Sequence, residues 1–140
     1  MQIIRAFAGM VGKEDLADIR HIIEATGSQL GLEASLVAAL RQAVDEAVSN
    51  IVMHGYQNRV GSLQMDIGQQ GADLWVRLRD EAPRFDPTSV PPLDLTVPLL
   101  LRPPGGLGLY LIREAIDELH YRPLPDGGNE LSLVKRGVLG

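Results

Sequence analysis

Seven of the nine prolines in this 140-residue chain fall between Ala82 and Pro104: Pro83, Pro87, Pro91, Pro92, Pro98, Pro103 and Pro104. Proline fixes its own φ and carries no N–H donor, so prolines this dense forbid long helices or strands across the segment. A structureless stretch of this length is uncommon inside a small domain, and where it occurs it is often a lid or a binding loop. Within it, PLLLR at 98–102 offers a short element or an apolar latch. The regular structure must come from the residues on either side. With 45% apolar and 22% charged residues the chain has enough material for one folded core, unlike a disordered sequence. The expectation is a single domain, 1–140, with a proline-rich lid at about 82–104.

The flanking blocks show alternating periods. Gln2–Ala8 is a first strand. Lys13–Leu30 has Leu16, Ile19, Ile22 or Ile23 and Leu30 at helical spacing, with Gly31 as a stop. A second helix, about Glu33–His54, has a stripe of Leu36, Val37, Leu40, Val44, Ala47, Val48 and Ile51, and Gly55 ends it. Gln57–Gly61 is a turn. Leu63, Met65 and Ile67 alternate with polar residues, Gly68–Gly71 makes a bend, and Leu74, Val76 and Leu78 alternate with Trp75, Arg77 and Arg79, which is the pattern of a hairpin with one face in a core. After the lid, Leu107–Leu119 has helical spacing, with Leu107, Leu111, Ile112, Ala115, Ile116 and Leu119 facing one way. Two closing strands near Glu118–Arg122 and Asn129–Arg136 are joined by the turn PDGG. The class is α+β, a two-layer α/β sandwich with helices on one face of a mixed, mostly antiparallel sheet.

Composition removes several functions. There is no cysteine, so disulfides, thiolate nucleophiles and cysteine metal sites are excluded, an absence that fits a cytoplasmic protein. No apolar run is long enough for a membrane helix, and the N-terminus MQIIRAFAGM lacks a signal-peptide pattern. The formal net charge is −5 and the basic residues form no stripe, which argues against direct nucleic-acid binding. An acidic protein can still hold a nucleotide, because backbone N–H groups and a metal ion can carry the phosphates.

Three segments have chemical potential. Gly105-Gly106-Leu107-Gly108 removes side chains just before a helix, whose first N–H groups and positive dipole end suit phosphate. It has no Walker lysine, and taken alone it reads equally well as a glycine-rich helix entry after a loop. In DEAVSNIVMHGY, Asp45–Tyr56, the residues Glu46, Asn50 and His54 stand at successive i,i+4 steps beside the apolar stripe. Asn50 can offer its oxygen to Mg²⁺, and Glu46 can orient or deprotonate a hydroxyl. His54 is expected nearer the core edge, in a structural role, and the whole face also fits a solvated helix surface. In RLRDEAPRFDP, Asp80 shares the phase of Leu74, Val76 and Leu78, so the inward face of that strand ends in a carboxylate. A buried carboxylate needs donors or a raised pKa, and an adenine amine would supply one donor; a turn-capping aspartate is the plainer alternative. Phe85 is read as an anchor for the loop.

In combination, these segments resemble the three nucleotide-binding motifs of the GHKL ATPase superfamily, and most closely the short anti-sigma-factor serine/threonine kinases of bacterial partner-switching systems. The motifs are DEAVSNIVMHGY, RDEAPRFDP and GGLGLYLI, and the resemblance spans nearly the whole chain. It implies the Bergerat fold, with ATP held between the helices and the lid. It implies Glu46 as the catalytic carboxylate, Asn50 as the Mg²⁺ ligand, Asp80 as the acceptor for the adenine amine, and Gly105, Gly106, Leu107 and Gly108 at the phosphates and lid end. The implied phosphate acceptor is a serine of a small anti-sigma-factor antagonist, with a sigma factor as alternative partner and often a homodimer. Two residues depart from the motif: Ala82 stands where a glycine is usual, and Arg84 precedes Phe85 where a second glycine is common. These departures bear on the shape of the adenine site. Arg84 is placed to cover the base or reach a phosphate, and Arg102 to contact the terminal phosphate; each also fits a solvated arginine. A nucleotide-responsive binding module with little transfer, the ATP-binding domain of a histidine kinase working alone, and a plain α+β domain are the rival readings.

Overall fold

The structure, a computed structural model, describes residues 1–91, 94–98 and 107–140. The strands are β1 (Gln2–Val11), β2 (Gly61–Gln70), β3 (Asp73–Asp80), β4 (Glu118–Pro123) and β5 (Asn129–Lys135); the helices are α1 (Leu16–Gln29), α2 (Ala34–Asn50) and α3 (Leu107–Ala115). One five-stranded sheet runs β1-β2-β3-β5-β4, and every pairing is antiparallel. The β3–β5 neighbourhood is the one step that skips the sequence order: residues 81–106, α3 and β4 intervene before β5 returns beside β3.

Alternation decides which face is buried. On β3, Leu74, Val76, Leu78 and Asp80 are buried, while the residues between them are half-exposed. The three leucine and valine side chains join Leu63, Met65 and Ile67 of β2 and Leu131 and Leu133 of β5 in a single core, closed by Ile19 and Ile23 of α1, Leu40, Val44, Ala47 and Val48 of α2, and Ile112 of α3. The opposite face is held by side-chain pairs. Arg79 and Arg122 both reach Glu130, at 2.7 and 3.0 Å, Arg136 pairs with Glu118, and the Trp75 and His120 rings stack with centroids 5.6 Å apart. Arg136–Glu118 is an exposed pair, and exposed ion pairs contribute about 1 kcal/mol or less each, so the apolar face carries most of the fold.

The element order is the one expected from the sequence, with four local differences. First, β1 continues to Val11 because it pairs with β2 as far as Gly61, with a bulge between Ile3 and Arg5. Second, the β2–β3 turn is Gly71–Ala72, with Gly71 at φ +60; Gly68 stays inside β2, where the Met1 side chain lies over it. Third, α2 ends as an α-helix at Asn50 and gives way to a π-helical turn, Ile51–Gly55, instead of running on to His54. Fourth, α3 stops at Ala115, short of Leu119, because the Asp117 N–H bonds to the Val134 carbonyl and draws the chain into the sheet. The apolar stripe of α3 is correspondingly Leu109, Ile112 and Ala115, and Leu107 is exposed.

Leu78, fully buried at the centre of β3, reports on this core. Leu78→Ala should cost about 2–5 kcal/mol of stability, as other large-to-small core changes do, read from urea denaturation midpoints at an unchanged slope.

Candidate functional site

The polar edge of α2 meets the start of α3. Glu46 and Asn50 are both half-buried, and among the described residues neither side chain has a hydrogen-bond partner. Gly108 lies in the first turn of α3, directly against them. A Cβ at that position would stand 3.0 Å from Glu46 Oε2 and 3.5 Å from Asn50 Nδ2. Glycine leaves room at this point for the ends of those two side chains. The first N–H groups of a helix have no intrahelical acceptor, so the donor-rich end of α3 opens beside a free carboxylate and a free carboxamide. Next to this edge, Asp45 is bonded by Arg20 at 2.7 Å, which fixes α2 against α1. Of the expected glycine segment, Leu107 and Gly108 are described; Arg102, Gly105 and Gly106 lie outside the described residues. Among the described residues no three His, Asp or Glu side chains gather into a metal site, so a cation here would rest on Asn50 and on ligand oxygens.

The π-helical turn after Asn50 ties this edge to the end of β3. Its bonds run one residue further than those of an α-helix, with the Tyr56 N–H on the Ile51 carbonyl at 2.8 Å. The extra residue breaks the i,i+4 line expected through His54, which is exposed and takes no part in the core edge. Gly55 is brought onto Ala82, whose Cβ would be 2.9 Å from a Cβ at position 55. The Tyr56 hydroxyl donates to the Ser62 carbonyl at 2.6 Å and accepts from the Glu81 N–H at 2.8 Å. Ala82 is buried and does not have a positive φ, so alanine in this position costs no backbone strain.

Asp80, 5% exposed, sits at the end of β3 opposite Asn129 of β5. Its Oδ1 accepts from Asn129 Nδ2 and from the Ala82 N–H, both at 2.9 Å. Among the described residues nothing donates to Oδ2. Burial holds this carboxyl above its ordinary range, while the bonds from Asn129 and Ala82 pull it the other way. Asn129 is itself saturated. Its Oδ1 accepts from the Tyr121 hydroxyl at 2.7 Å and the Phe85 N–H at 2.9 Å, and its Nδ2 also reaches the carbonyls of Ala82 and Pro83 at 3.3 and 3.2 Å. Gly128, at φ +91, lets β5 begin against β3: any Cβ there would overlap the Asp80 carbonyl at 2.1 Å. Arg84 points to the β4–β5 turn, with its guanidinium donating to the Leu124 carbonyl at 2.6 Å, and Phe85 is exposed. Asn129, Tyr121 and Tyr56 did not stand out in the sequence; Gly55 was visible only as a helix stop and Gly128 only as part of a turn.

Glu46, Asn50 and Gly108 therefore form one cluster, and Asp80 is joined to the same helix end through Ala82 and Gly55. Residues 12–135 match the family described as the histidine kinase-like ATPase domain. The chain belongs to that family. Among relatives of this ATPase-domain chain, the serine-protein kinases RsbW of Bacillus cereus (strain AH820) and Bacillus anthracis are 30% identical over 110 residues, covering 76% of this chain and 69% of theirs. RsbW of Bacillus cereus strain G9842 is 31% identical over the same length. A crystal structure of RsbU and RsbW domains from Mycobacterium tuberculosis superposes with a TM-score of 0.63 at 17% identity, over 94% of this chain and 32% of that one. That likeness shows the two-layer GHKL fold. Together with the RsbW relatives, the family match assigns the chain to the anti-sigma-factor serine/threonine kinase family of that superfamily.

The raised pKa of Asp80 sets a sign for the stability–pH curve. The folded state binds this proton more readily than the unfolded chain does. The stabilisation is thus fully present below the unfolded carboxylate value and is lost as pH rises through the folded one. Asp80→Asn keeps an acceptor for Asn129 and Ala82 but removes the buried charge. It should flatten stability above about pH 4 and be at least as stable as the parent at about pH 7, measured by thermal unfolding across that range.

Proposed function

We propose that this protein is a Mg²⁺-ATP-dependent protein serine kinase that acts as an anti-sigma factor, with a serine of a small antagonist protein as acceptor. The observation that carries this reading is the approach of Gly108 to Glu46 and Asn50: a helix N-terminus meets a carboxylate and a carboxamide that have no hydrogen-bond partner among the described residues. These residues suit the group they would hold. Asn50 offers a neutral oxygen to Mg²⁺, the α3 N-terminus offers N–H donors to phosphate, and Asp80 Oδ2, which has no donor among the described residues, suits an adenine amine. Bound Mg²⁺ would supply charge neutralisation on the phosphates.

The remaining work falls to the chain's own groups. Glu46 orients the acceptor serine hydroxyl and takes its proton as the serine Oγ forms a bond to the γ-phosphorus. The bond from that phosphorus to the β–γ bridging oxygen breaks, and ADP leaves with the electron pair. Positioning and charge placement supply most of the rate in such a transfer. The proline-rich segment, as a lid, would keep water from competing as acceptor. A sigma factor as second partner and a homodimer belong to the same proposal.

One observation favours a second reading, a nucleotide-responsive binding module with little transfer. Arg84 stands where the motif usually has glycine, and its guanidinium is spent on the β4–β5 turn instead of a phosphate. Incubation with radiolabelled ATP and a candidate antagonist protein separates the two: label on the antagonist supports the kinase, and nucleotide-dependent capture without label supports the module.

Glu46→Ala should abolish transfer while sparing ATP affinity to within about threefold, and parallel loss of both would refute the assigned role. Gly108→Ala should hold or raise helix stability by up to about 1 kcal/mol, because alanine favours the helix, yet weaken ATP binding by crowding Asn50 and the phosphate approach to the start of α3. Calorimetric titration paired with thermal melts reads both effects.

A further inference from the structure

We propose that Asn129 is a positioning residue that aims the Asp80 carboxylate at the exocyclic amine of the nucleobase and joins that aim to the root of the lid. This inference rests on the nucleotide reading above and deepens it. Asn129 has no capacity left to touch a ligand, since both sides of its carboxamide are occupied: Tyr121 and Phe85 donate to Oδ1, and Asp80, Ala82 and Pro83 accept from Nδ2. Its effect must therefore pass through Asp80.

The two donors on Oδ1 decide which way the amide faces. A flipped carboxamide would turn its NH₂ toward the Tyr121 hydroxyl and the Phe85 N–H, and its oxygen toward a carboxylate and two carbonyls. With the amide fixed, Nδ2 and the Ala82 N–H together hold Asp80 Oδ1. A carboxylate pinned by one oxygen presents the other in a single direction. Oδ2 is the oxygen without a described partner, at the inward end of β3. The same side chain receives the first backbone groups beyond β3, so a shift of residues 82–85 would also disturb the aim of Asp80.

The test compares Mg²⁺-ATP with Mg²⁺-purine riboside triphosphate, which lacks the 6-amino group, by calorimetric titration of the full chain. The parent should prefer ATP by roughly 10- to 100-fold, the range of a hydrogen bond to a charged acceptor. Asn129→Ala should bring that ratio to within about threefold, because a misdirected Asp80 no longer reads the amine. Tyr121→Phe, which removes one of the two donors that orient the amide, should lower the ratio part-way. If Asn129→Ala weakens both triphosphates alike and retains the parental ratio, Asn129 is a structural residue only and the inference is overturned. If that variant does not fold, Tyr121→Phe decides: an unchanged ratio overturns the inference and a reduced one supports it. A parent that binds neither triphosphate overturns the nucleotide reading and the inference with it, an outcome distinct from a retained ratio.

Discussion

The pairing register of β3 against β5 is the constraint on which the polar end of this molecule depends. Asp80 lies opposite Asn129 because seven residues of β3 pair in step with β5, from Leu74 with Lys135 to Asp80 with Asn129. A slip by one residue would turn Leu78 and Val76 out of the core, so the register is fixed by apolar burial. The polar contact at the strand end inherits that precision. A buried carboxylate would otherwise be among the most expensive groups to place, and here it ends a strand that the core already holds in line.

The two halves of the site are organised differently. Around Asp80 nearly every described donor and acceptor is matched, and Asn129, which matches it, also bonds to the backbone of Ala82, Pro83 and Phe85. Between α2 and α3, by contrast, Glu46 and Asn50 stand without described partners beside a glycine. Polar groups left free next to a helix N-terminus lower stability relative to an apolar filling, and such sites are where a fold forgoes stability for binding.

Much of this was legible in the sequence because it follows from local periodicity. The strand alternation around Leu74–Leu78 placed Asp80 inward, and the helical spacing placed Glu46 and Asn50 together. What was not legible depends on distant partners or on backbone detail. Asn129 lies 49 positions beyond Asp80 and gained meaning only from the β3–β5 register. The exposure of His54 follows from a π-helical turn that no residue pattern in IVMHG announces. The worry that Ala82 replaces a glycine needing positive φ disappears once its backbone is seen to be ordinary. Arg84, equally plausible as a phosphate ligand by type, is turned away by carbonyls of a turn some forty positions later.

The π-helical turn also makes the length of the segment between Asn50 and β2 as constraining as its chemistry. It takes up one residue more than an α-helical turn would, and that residue carries the Tyr56 hydroxyl across to the Ser62 carbonyl and the Glu81 N–H. Losing one residue there would let α2 wind on regularly, but it would retract the tyrosine and part the helix from the strand end. Homologous chains sharing this architecture are thus expected to tolerate changes of side chain in the turn far better than changes in its residue count.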